Sequence, residues 1–354
     1  MSSAVGDAVG PARPTTAPTD DQRPGFAPAR LARLARRAVD DLELDLTGRV
    51  VLTEAATGAY AVTPVIASLA GARVVALTKD TRYGTVDQVR SLTGSLGRLA
   101  DARHPIEIVT ELTPELIGGA DIVTNSGHLR PIDGEFVARL GPGAVVPLMF
   151  EAWEIGLGRS DVDLAALRSR GIAHAGTNEH HPRIGVFEHH RAMVLRLLSD
   201  CGIAVHGANF VVVCDNPFEP EIVDGLVCAG AQVHCARSLD TVDTPENVDA
   251  VLIASRPGTH PVIGRNEAQR IATRWPGAVV VQVWGDIDRN ALAGRGVPYW
   301  PLTGPAPGHM AVLPSAVGPE PIVRLQAGGL KVGQILLKST ALWTDEDREY
   351  VDAL

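Results

Sequence analysis

Glu54 ends a short apolar run and precedes a turn that contains Thr57 and Gly58. A helix-period segment and a second apolar run, from Arg73 to Leu77, follow, and this order predicts a strand, a turn, a helix and a strand. In such a unit the helix amides face the turn, where phosphate or carboxylate groups bind. Asp80 lies 22 residues after Gly58 (80 minus 58), near the offset of about 20 residues at which an acidic residue contacts a ribose in dinucleotide-binding folds. We therefore predict that Glu54, Thr57, Gly58 and Asp80 line a ligand pocket.

The ligand of this turn stays open at the level of sequence. The segment 57–60 reads Thr-Gly-Ala-Tyr and does not match the Gly-x-Gly-x-x-Gly pattern of dinucleotide sites. A nucleotide, a different anion and a purely structural turn all fit it. Glu54 fits either a cap of the next helix or a partner of a cationic ligand group, and Asp80 fits either a ligand contact or a local surface ion pair.

Further polar side chains follow two later predicted strands. Asn125, His128 and Arg130 come after the apolar run that begins at Asp121, and Glu151 and Trp153 come after the run that begins at Val145. The carboxyl ends of parallel strands meet at one edge of a sheet, where α/β folds bind their ligands. These five residues are therefore candidate site residues, with loop solvation and helix capping as the alternative roles.

Two short clusters of histidine and glutamate could be taken for metal ligands. They are Glu179-His180-His181 and Glu188-His189-His190. Imidazole and carboxylate are good ligands for first-row metals. Adjacent histidines on a helix point to different faces, however, and the chain has no His-x-x-x-His pair, so we predict no metal site and interpret the clusters as a polar hinge.

The chain repeats its own pattern after a long helix predicted from Arg183 to Leu198. Ala-Gly-Ala-x-Val occurs at 70–74 and at 229–233, and Pro-Gly-Ala-Val-Val occurs at 142–146 and at 276–280. The two markers are 72 residues apart in the first copy (143 minus 71) and 47 in the second (277 minus 230), which predicts that the second copy lacks one strand-helix unit. The fold class is therefore α/β, with two Rossmann-like, doubly wound parallel-sheet domains and helices between them.

Four segments of the second half, 176–188, 248–256, 277–288 and 307–309, are similar in order and content to motifs of a known family. From about residue 105 to 340 the chain resembles the D-2-hydroxyacid dehydrogenase and formate/glycerate dehydrogenase superfamily. The resemblance implies an outer catalytic domain, an inserted NAD or NADP domain and an active site in the cleft between them. It also implies that His309 is the acid-base residue, that Asn178 lies in the hinge, and that Arg256 and Trp284 lie near the nicotinamide.

The resemblance also places cofactor contacts on the loop and strand that open the second copy. Asp215 and Asn216 fall in the position of the phosphate loop, and Arg237 and Ser238 fall where a 2′-phosphate of NADP would bind. The loop Cys-Asp-Asn-Pro-Phe-Glu-Pro-Glu has no glycine, and its acidic side chains would repel pyrophosphate. Trp284 stands where the family has its substrate-carboxylate arginine.

Composition limits the class of protein. The 354 residues exceed the usual size of one core, and the domains are predicted at 29–182 plus 315–354 and at 203–314, joined by a helix at 183–202 and preceded by a disordered tail at 1–28. The net charge of −9 and the scattered basic residues exclude nucleic-acid binding as the main activity. The absence of a secretory signal and of Cys-x-x-Cys pairs favours a cytoplasmic protein with reduced cysteines, of which Cys214 and Cys235 are predicted to be buried; no membrane span is predicted.

Two functions fit these observations. The first is an NAD(P)-dependent oxidoreductase that acts on a small metabolite in the cleft, with His309 and Glu151 as catalytic residues and with a homodimer implied by the resemblance. The second is a noncatalytic protein that kept the fold and binds a metabolite or a peptide in the cleft. The missing phosphate-loop glycines and the tryptophan at position 284 favour the second function.

Overall fold

Two mainly parallel β-sheets organise the protein, whose computed structural model describes residues 23–157, 161–241 and 246–354. The first sheet contains β1 Val50–Glu54, β2 Arg73–Leu77, β3 Ile106–Val109, β4 Ile122–Val123, β5 Val145–Leu148, β6 Ala173–Thr177 and β12 Val351–Asp352. The second contains β7 Asn209–Val213, β8 Gln232–Ala236, β9 Ala250–Ala254, β10 Val279–Trp284 and β11 Tyr299–Trp300.

Helices cover both faces of both sheets. They are α1 Pro28–Asp41, α2 Thr63–Leu69, α3 Val86–Ala100, α4 Pro114–Gly118, α5 Gly134–Arg139, α6 Leu164–Ser169, α7 His189–Cys201, α8 Glu219–Cys228, α9 Arg265–Arg274, α10 Arg289–Ala293, α11 Glu320–Leu336 and α12 Asp345–Tyr350. Within the described ranges no helix is both long and apolar enough to cross a bilayer.

The strand order creates one switch point in each sheet. The first sheet runs β12-β6-β5-β4-β1-β2-β3, with only β12 antiparallel to its neighbour, and the second runs β11-β10-β9-β7-β8, all parallel. The order reverses between β1 and β4 in the first sheet and between β7 and β9 in the second. We call these places the first and second switch points, because α/β sheets bind ligands outside the carboxyl ends of the strands there. The fold class predicted from the sequence is confirmed.

Alternation along the strands builds a core on each face of each sheet. Val51 packs with α1, α2 and α11 on one face, whereas its neighbour Leu52 packs with α4 and α5 on the other. Because both faces are buried, β1 reads as an almost continuous apolar run, as strands of parallel sheets do. Glu54 lies at the end of this strand and is buried although it is polar, with only 4% of its surface exposed.

Two predictions about local structure are wrong. Helix α7 begins at His189 rather than Arg183, because Pro182 and the left-handed Gly185, with φ of +55°, keep residues 183–188 in turns. Cys235 is exposed rather than buried, since β8 is the outermost strand of its sheet; all four cysteines are free. The disordered tail at 1–28 stays a prediction: Pro24–Phe26 form a short turn with Phe26 buried, and residues 1–22 lie outside the described residues.

Candidate functional site

Glu54 is a buried carboxyl group at the first switch point. Its Oε2 accepts a hydrogen bond from the backbone N–H of His128 at 3.1 Å, and no other hydrogen bond reaches its side chain from the described residues. A Cβ at Gly127 would lie 1.5 Å from Oε2, so only glycine lets the loop after β4 approach this closely. Burial raises the pKa of Glu54, while the His128 amide and the charge of Arg130 oppose that rise.

Three buried hydroxyl groups form a hydrogen-bonded cluster, and one of them belongs to the residue that precedes Glu54. Thr53 Oγ1 is 2.8 Å from Thr124 Oγ1, which is 2.7 Å from Ser126 Oγ. The neighbouring Asn125 is also buried, and its Oδ1 accepts the backbone N–H of Met149 at 2.8 Å. These bonds join the carboxyl ends of β1, β4 and β5, because polar side chains lie at or just after the end of β1 and β4.

The turn after β1 is packed against the loop that follows β2. Gly84 lies against Thr57, since a Cβ on Gly84 would be 2.9 Å from the Thr57 methyl group, and Gly58 adopts a φ of +63°. Asp80 Oδ1 accepts the backbone N–H of Val86 at 2.7 Å and so caps α3. The predicted pocket residues therefore lie on adjoining loops, with Asp80 bonded to a helix end.

Thr78 adds an unsatisfied group at the end of β2. Its side chain is fully buried, and its hydroxyl has no hydrogen-bond partner among the described residues. A buried hydroxyl without a partner costs about 1–3 kcal/mol. A ligand or an ordered water is the usual way in which proteins offset such a cost.

Basic groups surround the Glu54 carboxyl. His128 is half-buried, and burial together with the nearby charge of Lys79 lowers its pKa. Arg130 acts on Glu54 through its charge and forms an ion pair with Asp161 at 3.3 Å. The neutral imidazole of His128 and the fixed charge of Arg130 make this edge of the sheet suited to polar ligands.

Glu151 is a second buried carboxyl group, at the end of β5. Its Oε1 accepts the backbone N–H of Glu179 at 3.0 Å, and its Oε2 accepts the indole N–H of Trp153 at 2.7 Å. Burial raises the pKa of Glu151, against the opposing effects of the Trp153 bond and the nearby charge of His180. Both oxygens are thus engaged in holding the loop that carries Trp153.

Trp153 crosses from the first sheet to the second. Its ring packs edge-on against Phe218 and Trp284, with centroids 5.7 and 6.0 Å apart, and the Arg256 guanidinium lies 5.5 Å from its centroid. Aromatic pairs in this geometry gain about 0.5–1.5 kcal/mol beyond burial. The cleft between the sheets is therefore lined by the protein's own rings.

His190 is the buried base of this aromatic cluster. Its ring stacks on Phe218 at 4.1 Å, and Nδ1 lies 2.9 Å from the carbonyl oxygen of Phe187. A carbonyl oxygen only accepts hydrogen bonds, so Nδ1 carries the proton. Burial lowers the pKa of His190 to about 4, and the ring is neutral at pH 7.

The second switch point is closed by its own side chains. Asp215 Oδ1 accepts the backbone N–H of Arg256 at 2.7 Å, and the Asn216 side chain donates to Ala254 O and accepts from the backbone N–H of Phe218. These bonds tie the end of β7 to the end of β9.

This closed loop does not fit the pyrophosphate of a dinucleotide. A pyrophosphate needs free backbone N–H groups beside a glycine turn at the start of a helix. Here Glu219 and Glu221 occupy the first turn of α8, and the ring of Phe218 fills the space before it. The cofactor roles of Asp215 and Asn216 stay predictions, while their observed contacts are structural.

The remaining predicted residues are scattered along the cleft. Trp284 is buried and donates its indole N–H to Gly308 O at 2.9 Å, which places the exposed His309 on the adjoining loop. Asn178 donates to Glu349 O and accepts the backbone N–H of His180. No hydrogen bond or ion pair in the described ranges joins the side chains of Arg237, Ser238 or His309 to the other predicted site residues. In the same ranges no group of three His, Cys, Asp or Glu residues is arranged to hold a metal ion.

Sequence reasoning missed the residues that shape both switch points. Gly127 and the hydroxyls of Thr53, Thr124 and Ser126 set the surroundings of Glu54, and Phe218 and His190 fill the cleft. Threonine beside the end of two neighbouring strands, at positions 53 and 124, was a signal for the hydroxyl cluster. No local pattern marks Gly127, because its importance depends on a side chain 73 residues away (127 minus 54).

Comparison with known proteins identifies the fold. No family model and no curated protein matches the sequence. The A chain of dipicolinate synthase from Bacillus halodurans matches with a TM-score of 0.50 and 13% identity, over 83% of this chain and 100% of that chain. The A chain of the Bacillus subtilis synthase matches with a TM-score of 0.50 and 11% identity, over 83% and 97%. The chain therefore shares a two-domain, Rossmann-like fold with these two proteins.

Proposed function

We propose that the chain binds a small polar metabolite at the first switch point and acts on it by acid–base chemistry, with Glu54 as the proton-exchanging group. The burial of Glu54 against Gly127, with one hydrogen bond to the His128 amide, carries the proposal. A carboxyl group in an apolar, water-poor setting keeps its proton to higher pH and becomes an effective acid or base near neutrality.

The surroundings of Glu54 supply groups that would orient a ligand. The Thr78 hydroxyl lacks a partner among the described residues, and the imidazole of His128 is half-buried with its pKa lowered. Hydrogen-bonding groups fixed by backbone contacts lose little entropy when a ligand binds. In this proposal Glu151 is a positioning residue, because both of its oxygens hold the loop of Trp153 rather than face a free space.

The first experiment identifies the ligand without assuming its nature. The purified protein is denatured, and the released small molecules are measured by mass spectrometry for the wild type, Glu54→Gln and the control Glu107→Gln, an exposed carboxyl on β3. We expect one metabolite to be retained by the wild type and the control and lost from Glu54→Gln, while circular dichroism shows all three folded. Equal retention by Glu54→Gln would overturn the proposal.

A second experiment separates catalysis from binding alone. The released metabolite is returned to the protein in D₂O, and its mass is followed with time. Acid–base action by Glu54 predicts incorporation of deuterium by the wild type and at least a 100-fold slower rate with Glu54→Gln, since general acid–base groups contribute about 10²–10⁴-fold. Binding without exchange would favour the noncatalytic function.

An NAD(P)-dependent oxidoreductase is the second candidate. The two-domain fold shared with the A chains of dipicolinate synthase favours it, and the closed loop of Asp215 and Asn216 disfavours it. NADH and NADPH absorb the emission of tryptophan, and Trp153 and Trp284 lie in the cleft. Quenching of the tryptophan fluorescence of the wild type by millimolar NADH or NADPH, with weaker quenching of Trp284→Phe, would support this candidate. If calorimetry detects no binding of NAD, NADH, NADP or NADPH, the candidate is excluded.

A further inference from the structure

Helices α1 and α11 enclose a groove of about 420 Å³ that is lined by arginine. Arg30, Arg33 and Arg37 come from α1, and Arg324 comes from α11. The rest of the lining is formed by the apolar residues Leu34, Ala38 and Val323 and by two carboxylates, Asp41 and Glu320. The groove belongs to neither switch point, and none of its lining residues is a candidate site residue.

The helical period brings the three arginines of α1 to one side. They are spaced at i, i+3 and i+7, which places them on adjacent turns of one face. Leu31 and Ala35 lie on the opposite side in the core. Arg36 falls outside the stripe and pairs with Asp101 near the end of α3. The sequence of α1 therefore separates four arginines into a row of three and one that points elsewhere.

The charges of the groove are only partly balanced. Arg30 pairs with Glu320, and Arg37 pairs with Asp41 at 3.3 Å. Arg33 has no ion-pair or hydrogen-bond partner among the described residues. Arg324 donates to the backbone carbonyl of Ile184 at 3.4 Å.

Arg324 also lacks a carboxylate partner at ion-pair distance among the described residues. Glu188 is the acidic residue that approaches it, across Gly185. Two guanidinium groups thus face the groove without a carboxylate bonded to either. Such a pair is an arrangement that multivalent anions bind.

We propose that this groove binds a small multivalent anion, with Arg33 and Arg324 as its main contacts and Arg30 and Arg37 as flanking charges. The volume suits a compact molecule that carries phosphate or carboxylate groups, and the apolar side chains of Leu34 and Val323 suit a short hydrocarbon part. Guanidinium groups bind both kinds of anion through paired N–H donors.

The test titrates the protein with inorganic pyrophosphate and, separately, with citrate, at fixed ionic strength set by chloride. Isothermal calorimetry gives the dissociation constants for the wild type, Arg33→Gln, Arg324→Gln and the control Arg36→Gln. The control removes the same charge from the same helix, outside the stripe. We expect each groove variant to weaken the preferred anion about tenfold or more and Arg36→Gln to weaken it less than about twofold.

The titrations with pyrophosphate and with citrate distinguish which anionic group the groove binds. Tighter binding of pyrophosphate assigns the groove to phosphate-bearing ligands, and tighter binding of citrate assigns it to carboxylate-bearing ones. Equal weakening by Arg36→Gln, or no heat with either anion, would overturn the proposal. Retained melting temperatures of all variants in chloride alone show that a loss of binding does not come from unfolding.

Discussion

The two switch points have the same place in their sheets but opposite chemistry. At the first, the Glu54 carboxyl accepts one backbone N–H, and the hydroxyl of Thr78 has no partner among the described residues. At the second, the side chains of Asp215 and Asn216 join β7 to β9 by hydrogen bonds, and the buried ring of Phe218 packs against the rings around it. This difference supports our proposal that the ligand binds at the first sheet.

The comparison also separates topology from function. A parallel sheet with a reversed strand order offers a crevice, yet the crevice binds a ligand only when polar groups are left free in it. Buried polar groups that satisfy each other stabilise the loop that holds them. At the second switch point the bonds of Asp215 and Asn216 join the ends of β7 and β9.

The largest expected effect on stability comes from His190, the buried histidine that stacks on Phe218 at the second switch point. The folded protein keeps His190 neutral down to a pKa of about 4, whereas the unfolded chain takes up a proton below its ordinary pKa of about 6.5. The unfolded state therefore binds more protons between these values, and stability falls as pH falls. We expect a loss of about 3 kcal/mol in the free energy of unfolding between pH 6.5 and 4 that depends on His190.

Urea unfolding of the wild type and of His190→Gln at several pH values measures this loss. Glutamine keeps a donor for the carbonyl of Phe187 but does not titrate, so the variant should lack most of the slope. If the free energies of unfolding of the wild type and of His190→Gln change in parallel between pH 6.5 and 4, His190 takes up a proton as readily in the folded protein as in the unfolded chain.

A substitution at Gly127 should break the first switch point. Alanine would put a Cβ 1.5 Å from Glu54 Oε2, at a residue with a φ of +30°. Gly143→Ala is the control, because Gly143 has a φ of +86° and open space around its Cβ position. We expect Gly127→Ala to lose about 2 kcal/mol more stability than the control, measured by urea unfolding, since a buried side chain must be displaced.

Removing the Glu54 side chain should restore part of that loss. The double variant Gly127→Ala, Glu54→Ala is expected to be more stable than the sum of the single changes predicts. Additive effects would show that the cost comes from the backbone rather than from contact with Glu54.

The sequence could predict structure that depends on a local pattern. The apolar run from Arg73 to Leu77 gave the bounds of β2 without error, because strand burial depends on local pattern. The start of α7 was misplaced, since the turn at Gly185 interrupts a period that apolar spacing alone continues.

Site geometry was less accessible than the fold. Glu54 could be picked out as a carboxylate among apolar residues, but its contact with Gly127 needs the pairing of β1 with β4. The stacking of His190 on Phe218 likewise depends on how α7 meets the second sheet. The site is formed by contacts between residues that are distant in sequence, and no short motif predicts such contacts.

A smaller effect is expected from loosening the second switch point. Asn216→Ala removes the acceptor for the Phe218 N–H and the donor to Ala254 O, and should cost about 1.5 kcal/mol. Asn290→Ala, an exposed position on α10, is the control and should cost little. Urea unfolding measures both. If Asn216→Ala is as stable as the control, the loop is not held by these bonds and the contrast between the switch points weakens.

The last prediction concerns the proton on Glu54. Burial raises its pKa in the folded protein above the ordinary value of 4.5, so the folded state holds a proton that the unfolded chain has lost. Stability contributed by this group is present below pH 4.5 and is lost as pH rises through the raised pKa. We therefore expect the free energy of unfolding to lose a contribution that depends on Glu54 as the pH rises from 4.5 to 8.

Glu54→Gln should remove this loss, because glutamine has the shape of the protonated carboxyl and never ionises. The free energy of unfolding of the variant, relative to wild type, is therefore expected to rise from pH 4.5 to pH 8, whereas Glu107→Gln should show no such rise. A constant difference across this range would mean that Glu54 ionises as readily in the fold as outside it. The first switch point would then lack its proton-exchanging group, and the distinction between the two sheets would rest on the Thr78 hydroxyl alone.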